Sequence, residues 1–306
     1  MAALQFQSSG DLIADRRFEW ARESLAQGDF AAAIDLLTQT LERVPDYAAG
    51  WFMLGEAREQ FGDRDGAIEA FRKAQQADSK DAHGAAMRLI RLGAAEQAAM
   101  PEGYVRALFD GYASRFDKAL TENLNYTAPE ILLDAVRQQH TGRFGAALDL
   151  GCGTGLGGAA FRASVDWLVG VDLSGGMLAQ ARHKKLYDRL VEGDLVAFLK
   201  DEEKTTARYD LVLAADVLSY LDDLAPVTRA VARVMQHSAL FAFTIETHDG
   251  EGVILRDTLR YAHSGATVRS AIEAAGMRTL TLEPAATRTE KGVPVPGLVC
   301  VASHGR

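Results

Sequence analysis

The run Ala147-Leu148-Asp149-Leu150-Gly151-Cys152-Gly153-Thr154-Gly155 is followed, twenty-three residues after Asp149, by a second apolar stretch that ends in Asp172. This arrangement limits the chain to few folds. Apolar Ala146 to Leu150 suits a buried parallel strand, the three glycines at alternate positions allow a sharp turn against a ligand, and Leu156 to Ala163 can begin a helix. Trp167 to Val171 supplies a second strand, and Asp172 falls where a carboxylate accepts both hydroxyls of a ribose. The segment reads as a nucleoside-cofactor site.

Two cofactor classes compete for it, because Gly153-Thr154-Gly155-Leu156-Gly157-Gly158 also fits the G-x-G-x-x-G pattern of a dinucleotide fold. Asp149 separates them. A carboxylate at the strand end would repel a pyrophosphate on the following helix N-terminus and attract a cation. S-adenosylmethionine brings an ammonium and a sulfonium and no phosphate, so the reading favours the methyl donor over NAD.

From about Tyr104 to His304 the chain resembles a class I S-adenosylmethionine-dependent methyltransferase, with Leu148 to Gly155 as first motif and Gly170-Val171-Asp172-Leu173-Ser174 as second. The resemblance implies a Rossmann-like doubly wound α/β sheet of seven strands, the last antiparallel. It implies that Asp149, Gly151, Cys152 and Gly153 surround the methionine part and that Asp172 and Leu173 meet the ribose. Glu192-Gly193-Asp194-Leu195 would place Asp194 near the adenine amine and Leu195 beside the ring. Tyr209 to Leu218 resembles the fourth-strand motif, whose end, at Ala214 and Asp216, would lie under the transferable methyl. In related enzymes a helical segment before the first motif folds over the cofactor. Tyr104 to Leu120 reads as such a helix, breaking at Ser114, with Tyr112 and Arg115 facing the methionine moiety or, equally, with its aromatic stripe serving as core.

Ahead of it the sequence repeats itself with a shift of 34 residues. Trp20 pairs with Leu54, Ala21 with Gly55, Gly28-Asp29 with Gly62-Asp63, Ala33 with Ala67, and Leu37 with Phe71. The pattern resembles the tetratricopeptide repeat, although Arg17 and Ser24 stand where a tryptophan and a tyrosine are usual. A further helix, Ala82 to Leu92, is expected to cap the second copy. The organisation expected is a repeat module over residues 1–99, a linker and helical lid over 100–143, and a cofactor-binding domain over 144–306. This combination resembles a bacterial group of methyltransferases bearing such repeats. The module reads as a surface for a protein partner or self-association, or else as a groove for a peptide or substrate.

A net charge of −9 is spread along the chain, with 11 basic and 16 acidic residues up to Ala99 and 22 and 26 beyond it. Nucleic acid is therefore not an expected partner. The first ten residues lack a basic region followed by an apolar core, and no uninterrupted apolar run is long enough for a membrane span. Cys152 and Cys300 form neither a disulfide framework nor a metal spacing, so a cytoplasmic location without metal is expected. Cys152 reads as a small residue between glycines.

Methyl transfer from a sulfonium is an in-line displacement that needs a general base only when the acceptor is protonated. Candidates lie after the fourth and fifth strands: Asp216, Ser219, Tyr220, His248 and His263. His263 and Tyr220 are the catalytic candidates, His263 as base or as a group orienting the acceptor, in a segment that also reads as a helix-entry loop capped by Ser264 or Thr267. Arg288, in the hairpin between the last two strands, reads as a solvated turn charge in preference to a cation that holds an acidic acceptor. The sequence after Leu213, Ala214-Ala215-Asp216-Val217, lacks the Asn/Asp-Pro-Pro-Tyr grip of amino-group methyltransferases acting on adenine or glutamine. A small-molecule acceptor is expected, with S-adenosylhomocysteine as the other product. The alternatives are a cofactor-binding scaffold without turnover and, third, a dehydrogenase.

Overall fold

The computed structural model describes residues 8–120 and 124–305. The chain divides into two compact units, Met1–Leu108 and Phe109–Arg306.

The first unit holds α1 (Leu12–Gln27), α2 (Phe30–Arg43), α3 (Ala48–Phe61), α4 (Arg64–Ala77) and α5 (Ala85–Arg91). Its repeated Gly-Asp pairs do two jobs at once. Gly28 and Gly62 end α1 and α3 in the left-handed region, at φ 80° and 91°, and the aspartates that follow cap α2 and α4 through the N–H groups of Ala32 and Gly66. Small residues then let paired helices approach: a Cβ at Gly55 would stand 2.5 Å from the ring of Phe71. The capping helix is shorter than expected. Asp81 accepts from the N–H groups of Ala85 and Ala86 at 2.7 and 2.8 Å, which starts α5 at Ala85 and leaves residues 82–84 in a turn.

The expected Tyr104 to Leu120 helix is broken into α6 (Glu102–Asp110), a 3-10 turn at Ala113–Arg115 and α7 (Phe116–Lys118). After α8 (Ala128–Gln139), which Pro129 opens, come β1 (Phe144–Leu150), α9 (Leu156–Phe161), β2 (Val165–Asp172), α10 (Gly175–Lys184), β3 (Arg189–Glu192), α11 (Leu195–Glu203) and β4 (Tyr209–Ala214). Then follow α12 (Ala225–Val234), β5 (Met235–Glu246), β6 (Val253–Leu255), β7 (Tyr261–His263), α13 (Gly265–Ala274) and β8 (Met277–Pro284). The chain closes with β9 (Thr289–Glu290), β10 (Val293–Pro294) and β11 (Gly297–His304).

Seven strands make one sheet in the order β3-β2-β1-β4-β5-β11-β8, with β11 alone running antiparallel, as expected. Alternate residues feed opposite faces. Leu148, Leu150, Val169 and Val171 pack in one core, and Ala147, Leu168, Leu211 and Leu213 in the other. Asp149 points toward the second of these apolar layers. The parallel register sets the carboxyl ends of β1 to β5 side by side, which is where such sheets place ligands. One element departs from the reading: residues 260–264 contribute β7, which pairs with β6, although Ser264 does cap α13. No helix among the described residues is long and apolar enough to cross a membrane, and none of their His, Cys, Asp and Glu side chains form a metal-binding group.

Candidate active site

The loop after β1 turns through glycines of which two bear directly on the site. A Cβ at Gly151 would meet Val217 at 2.4 Å, whereas a Cβ at Gly153 would meet, among the described residues, only the Phe116 ring within 4 Å, at 3.9 Å. An open strip therefore runs over Gly153, roofed by Phe116. Asp172, at the end of β2, edges this strip. Its Oδ2 accepts from the Gly153 N–H and its Oδ1 from the Ser174 N–H, both at 2.8 Å. Burial raises its pKa and those backbone bonds work against the rise. Leu173 beside it is half-buried. At the end of β3, Asp194 caps α11 by accepting from the Ala197 N–H at 2.8 Å and Leu195 is half-buried next to it.

Asp149 sits differently, beneath the loop. It is 2% exposed, accepts from the Tyr187 hydroxyl at 2.6 Å, and its Oδ2 lies 2.9 Å from where a Cβ on Gly157 would stand. Tyr187 Oη in turn accepts from the Gly158 N–H at 3.0 Å. A carboxylate and a phenol therefore close the start of α9, the place a dinucleotide needs for its pyrophosphate. Burial pushes Asp149 up to about 7; the Tyr187 bond opposes this and the Asp172 charge adds to it. Cys152 is buried, with Sγ 2.9 Å from the Cβ position of Gly170, and burial raises its thiol well above the ordinary range. It fills space, in keeping with its reading as a small residue.

The segment before β1 is tied to this loop at two points. Asp110 accepts from the Ser174 hydroxyl at 2.5 Å and the Gly176 N–H at 3.0 Å, while Asp117 accepts from the Thr154 hydroxyl and pairs with Lys184 at 2.7 Å. Between these ties, Tyr112 stands edge-on to Phe116 at 5.7 Å and the Arg115 guanidinium lies 5.8 Å from the Tyr112 ring. No residue of α6 is buried, Tyr112 and Phe116 are half-buried, and Leu120 at the end of the stripe is buried.

Beyond β4 and β5 lies a charge network that sequence reasoning missed. Asp216, in the left-handed region at φ 58°, accepts from the hydroxyls of Thr244 and Thr287 and pairs with Arg288 at 3.1 Å. Arg288 also reaches Glu246 at 2.7 Å and Glu290 at 2.8 Å. Arg260 pairs with Glu246 at 2.5 Å and donates to Tyr220 Oη at 2.7 Å and to the Asp216 carbonyl at 3.2 Å. Arg256 lies 3.6 Å from Glu246. Arg288 is only 5% exposed, which corrects its reading as a solvated turn charge. The β8 to β11 return carries it back over the ends of β4 and β5, a placement no local pattern announces. Ala214, fully buried, lies at the end of β4 just before this network.

The catalytic candidates fare unequally. His263 is 0% exposed in β7, with Nε2 2.9 Å from the Leu221 carbonyl and Nδ1 without a hydrogen-bond partner; burial lowers its pKa. A ring with no exposed surface does not present its nitrogens to an acceptor, which weighs against the base role and for the structural alternative. His248 engages both ring nitrogens in its own turn, at Gly250 N–H and Gly252 O. Tyr220 remains at the site, half-buried, 5.3 Å from the Phe109 ring; burial raises its phenol pKa while Arg260 opposes the rise. Tyr126 joins it unforeseen. It is half-buried, its segment is held against Arg288 by the bonds from the Thr127 N–H to the Thr287 carbonyl and from the Thr289 N–H to the Leu124 carbonyl, and burial raises its phenol pKa. Its only sequence signal was its place just ahead of a helix.

Comparison with known proteins bears on the fold. Residues 148–241 match the profile of a methyltransferase domain and residues 18–82 that of the tetratricopeptide repeat. Among solved structures, the chain is similar to Burkholderia thailandensis 1,6-didemethyltoxoflavin-N1-methyltransferase, determined with 1,6-didemethyltoxoflavin and S-adenosylhomocysteine bound. The likeness has 16% identity and a TM-score of 0.53, and covers 69% of this chain and 93% of that one. It is also similar to a structure described as a complex between the Haloferax volcanii Trm112 methyltransferase activator and the putative methyltransferase, at 18% identity and a TM-score of 0.50, covering 65% and 98%. No protein of curated function matches in sequence. The second unit has the Rossmann-like sheet of these structures and holds the residues that match the methyltransferase-domain profile, and the residues that match the tetratricopeptide repeat profile lie in the N-terminal helices.

Proposed function

We propose that the second unit transfers a methyl group from S-adenosylmethionine to a small-molecule acceptor, leaving S-adenosylhomocysteine. The observation that carries this is the closed start of α9: Asp149 and Tyr187 occupy the ground a pyrophosphate would need, while Asp172 at the end of β2 is bonded to Gly153, beside which there is open room. Asp172 retains lone pairs for a ribose, and Asp194 retains an oxygen for the adenine amine with Leu195 against the ring. Gly151, Gly153 and Tyr112 would hold the methionine portion. The bound donor supplies an electrophilic methyl group. What the chain contributes is alignment near Ala214 and the exclusion of water by Phe116 and Tyr112.

Calorimetric titration with S-adenosylmethionine and S-adenosylhomocysteine tests the reading, and an absence of heat for both overturns it. Binding without turnover over a broad acceptor pool would instead favour a scaffold. We further propose residues 1–99 as a docking module for a protein partner or a second copy, 100–143 as linker and lid, and 144–306 as the cofactor-binding domain.

A further inference from the structure

The network beyond β4 and β5 has a chemical bias: its acceptors are spent and its donors are not. The carboxylates of Asp216 and Glu246 face arginines. Of the five N–H groups of Arg260, one donates to Tyr220 Oη, one to the Asp216 carbonyl, and Nε pairs ionically with Glu246. Two remain. Tyr220 Oη accepts from Arg260, so its own hydrogen is uncommitted, and the Tyr126 hydroxyl has no hydrogen-bond partner among the described residues. All three side chains are half-buried, and the bonds from the Thr127 N–H to the Thr287 carbonyl at 2.8 Å and from the Thr289 N–H to the Leu124 carbonyl at 2.7 Å set the Tyr126 segment beside Arg288. A cluster that offers O–H and guanidinium N–H donors is complementary to an anionic oxygen.

A second observation concerns proton acceptors. His263 is enclosed, both nitrogens of His248 are engaged in its own turn, and Asp149 lies under the loop on Tyr187. Among the described residues this cluster therefore offers no ready general base to an acceptor that must lose a proton. It suits one that arrives deprotonated.

From the donor-rich cluster of Tyr126, Tyr220 and Arg260, with no free base among the described residues beside it, we infer that the methyl acceptor is a carboxylate and the product a methyl ester. The inference rests on the proposed methyl transfer. A carboxylate oxygen lone pair forms the new O–CH3 bond as the S–CH3 bond of the donor breaks, and the departing pair stays on sulfur to leave a neutral thioether. No proton moves. The guanidinium edge of Arg260 and the two phenols would hold the acceptor's second oxygen and keep the group ionised.

The test supplies the full chain with methyl-labelled S-adenosylmethionine and a small-metabolite extract, intact or with its carboxyls blocked as amides. Expected is label that alkali releases as methanol, formed from the intact pool and lost with the blocked one. Label stable to alkali, or no label from the intact pool although the donor binds, overturns the inference and leaves donor binding standing. No donor binding at all overturns the proposed function itself. Once an acid is identified, Arg260→Gln should lower kcat/KM by roughly ten- to a hundredfold through KM with donor affinity unchanged. Tyr126→Phe, whose lost hydroxyl has no folding partner, should cost about tenfold in the same parameter. An unchanged KM in a folded Tyr126→Phe chain counts against the assignment.

Discussion

The Tyr187 hydroxyl donates to Asp149 at 2.6 Å while accepting from the Gly158 N–H at 3.0 Å, so one phenol joins the end of β1 to the start of α9. Tyr187→Phe keeps the ring and removes both bonds. It leaves a buried carboxyl and a buried N–H unpaired, and a loss of about 1–3 kcal/mol is expected. Urea unfolding of the two chains measures it, and equal midpoints would refute the structural role given to this bond.

Asp149 makes stability and donor binding depend on pH in opposite directions. Its pKa of about 7 in the folded chain lies above the ordinary 3.8, so the native state holds a proton that the unfolded chain has released. That contribution is whole below about pH 4 and is lost as pH rises through about 7. Asp149→Asn has no such proton to lose, so its stability relative to the parent should improve between about pH 5 and pH 8. A cationic donor favours the ionised form, so affinity for S-adenosylmethionine should rise over the same interval in the parent and stay flat in the variant. Unfolding and calorimetry at several pH values check both slopes, and parallel behaviour of the two chains would exclude Asp149 as their source.

The acids at the ends of β1, β2 and β3 were legible because a strand, a glycine turn and a following acid are contiguous in sequence. The repeat was legible for a related reason: Gly28-Asp29 and Gly62-Asp63 end one helix and cap the next within two residues. Arg288 was misread, and the burial of His263 not foreseen, because their surroundings are assembled from distant segments. Arg288 meets residues 72 and 42 positions away, and His263 is sealed by β6 and by the Leu221 carbonyl. Tyr187 and Tyr126, each with no motif around it, were not singled out at all.

Asp172 is expected to govern donor affinity. Its two oxygens hold the Gly153 and Ser174 N–H groups at 2.8 Å, so Asp172→Ala loses the ribose contact and also unties the loop. Dissociation constants for S-adenosylhomocysteine should rise by roughly tenfold or more. Calorimetry decides, and an unchanged constant would move the ribose elsewhere.

Asp110 ties the segment before β1 to Ser174 and the Gly176 N–H. Asp110→Ala should let residues 109–118 open more often, which hydrogen exchange reads as faster exchange confined to that segment. Donor release should quicken with it, since Phe116 roofs the strip over Gly153. Exchange no faster than in the parent would show that Asp117, through Thr154 and Lys184, suffices alone.

Arg288 holds the acceptor side together by charge. It is buried between Asp216, Glu246 and Glu290, and burial alone would lower its pKa, but the first two carboxylates more than offset that and raise it. Arg288→Ala leaves Asp216 with hydroxyl partners only and removes one of the cations around Glu246, so a loss of roughly 3–5 kcal/mol is expected. Arg288→Lys cannot serve three carboxylates with one point charge and should recover only part of it. If the cost is a stranded charge, adding Asp216→Asn to Arg288→Ala should restore stability relative to the single variant, because the amide needs no cation and keeps bonds to Thr244 and Thr287. Thermal unfolding of the set gives the coupling, and strictly additive losses would show that Arg288 acts through packing alone.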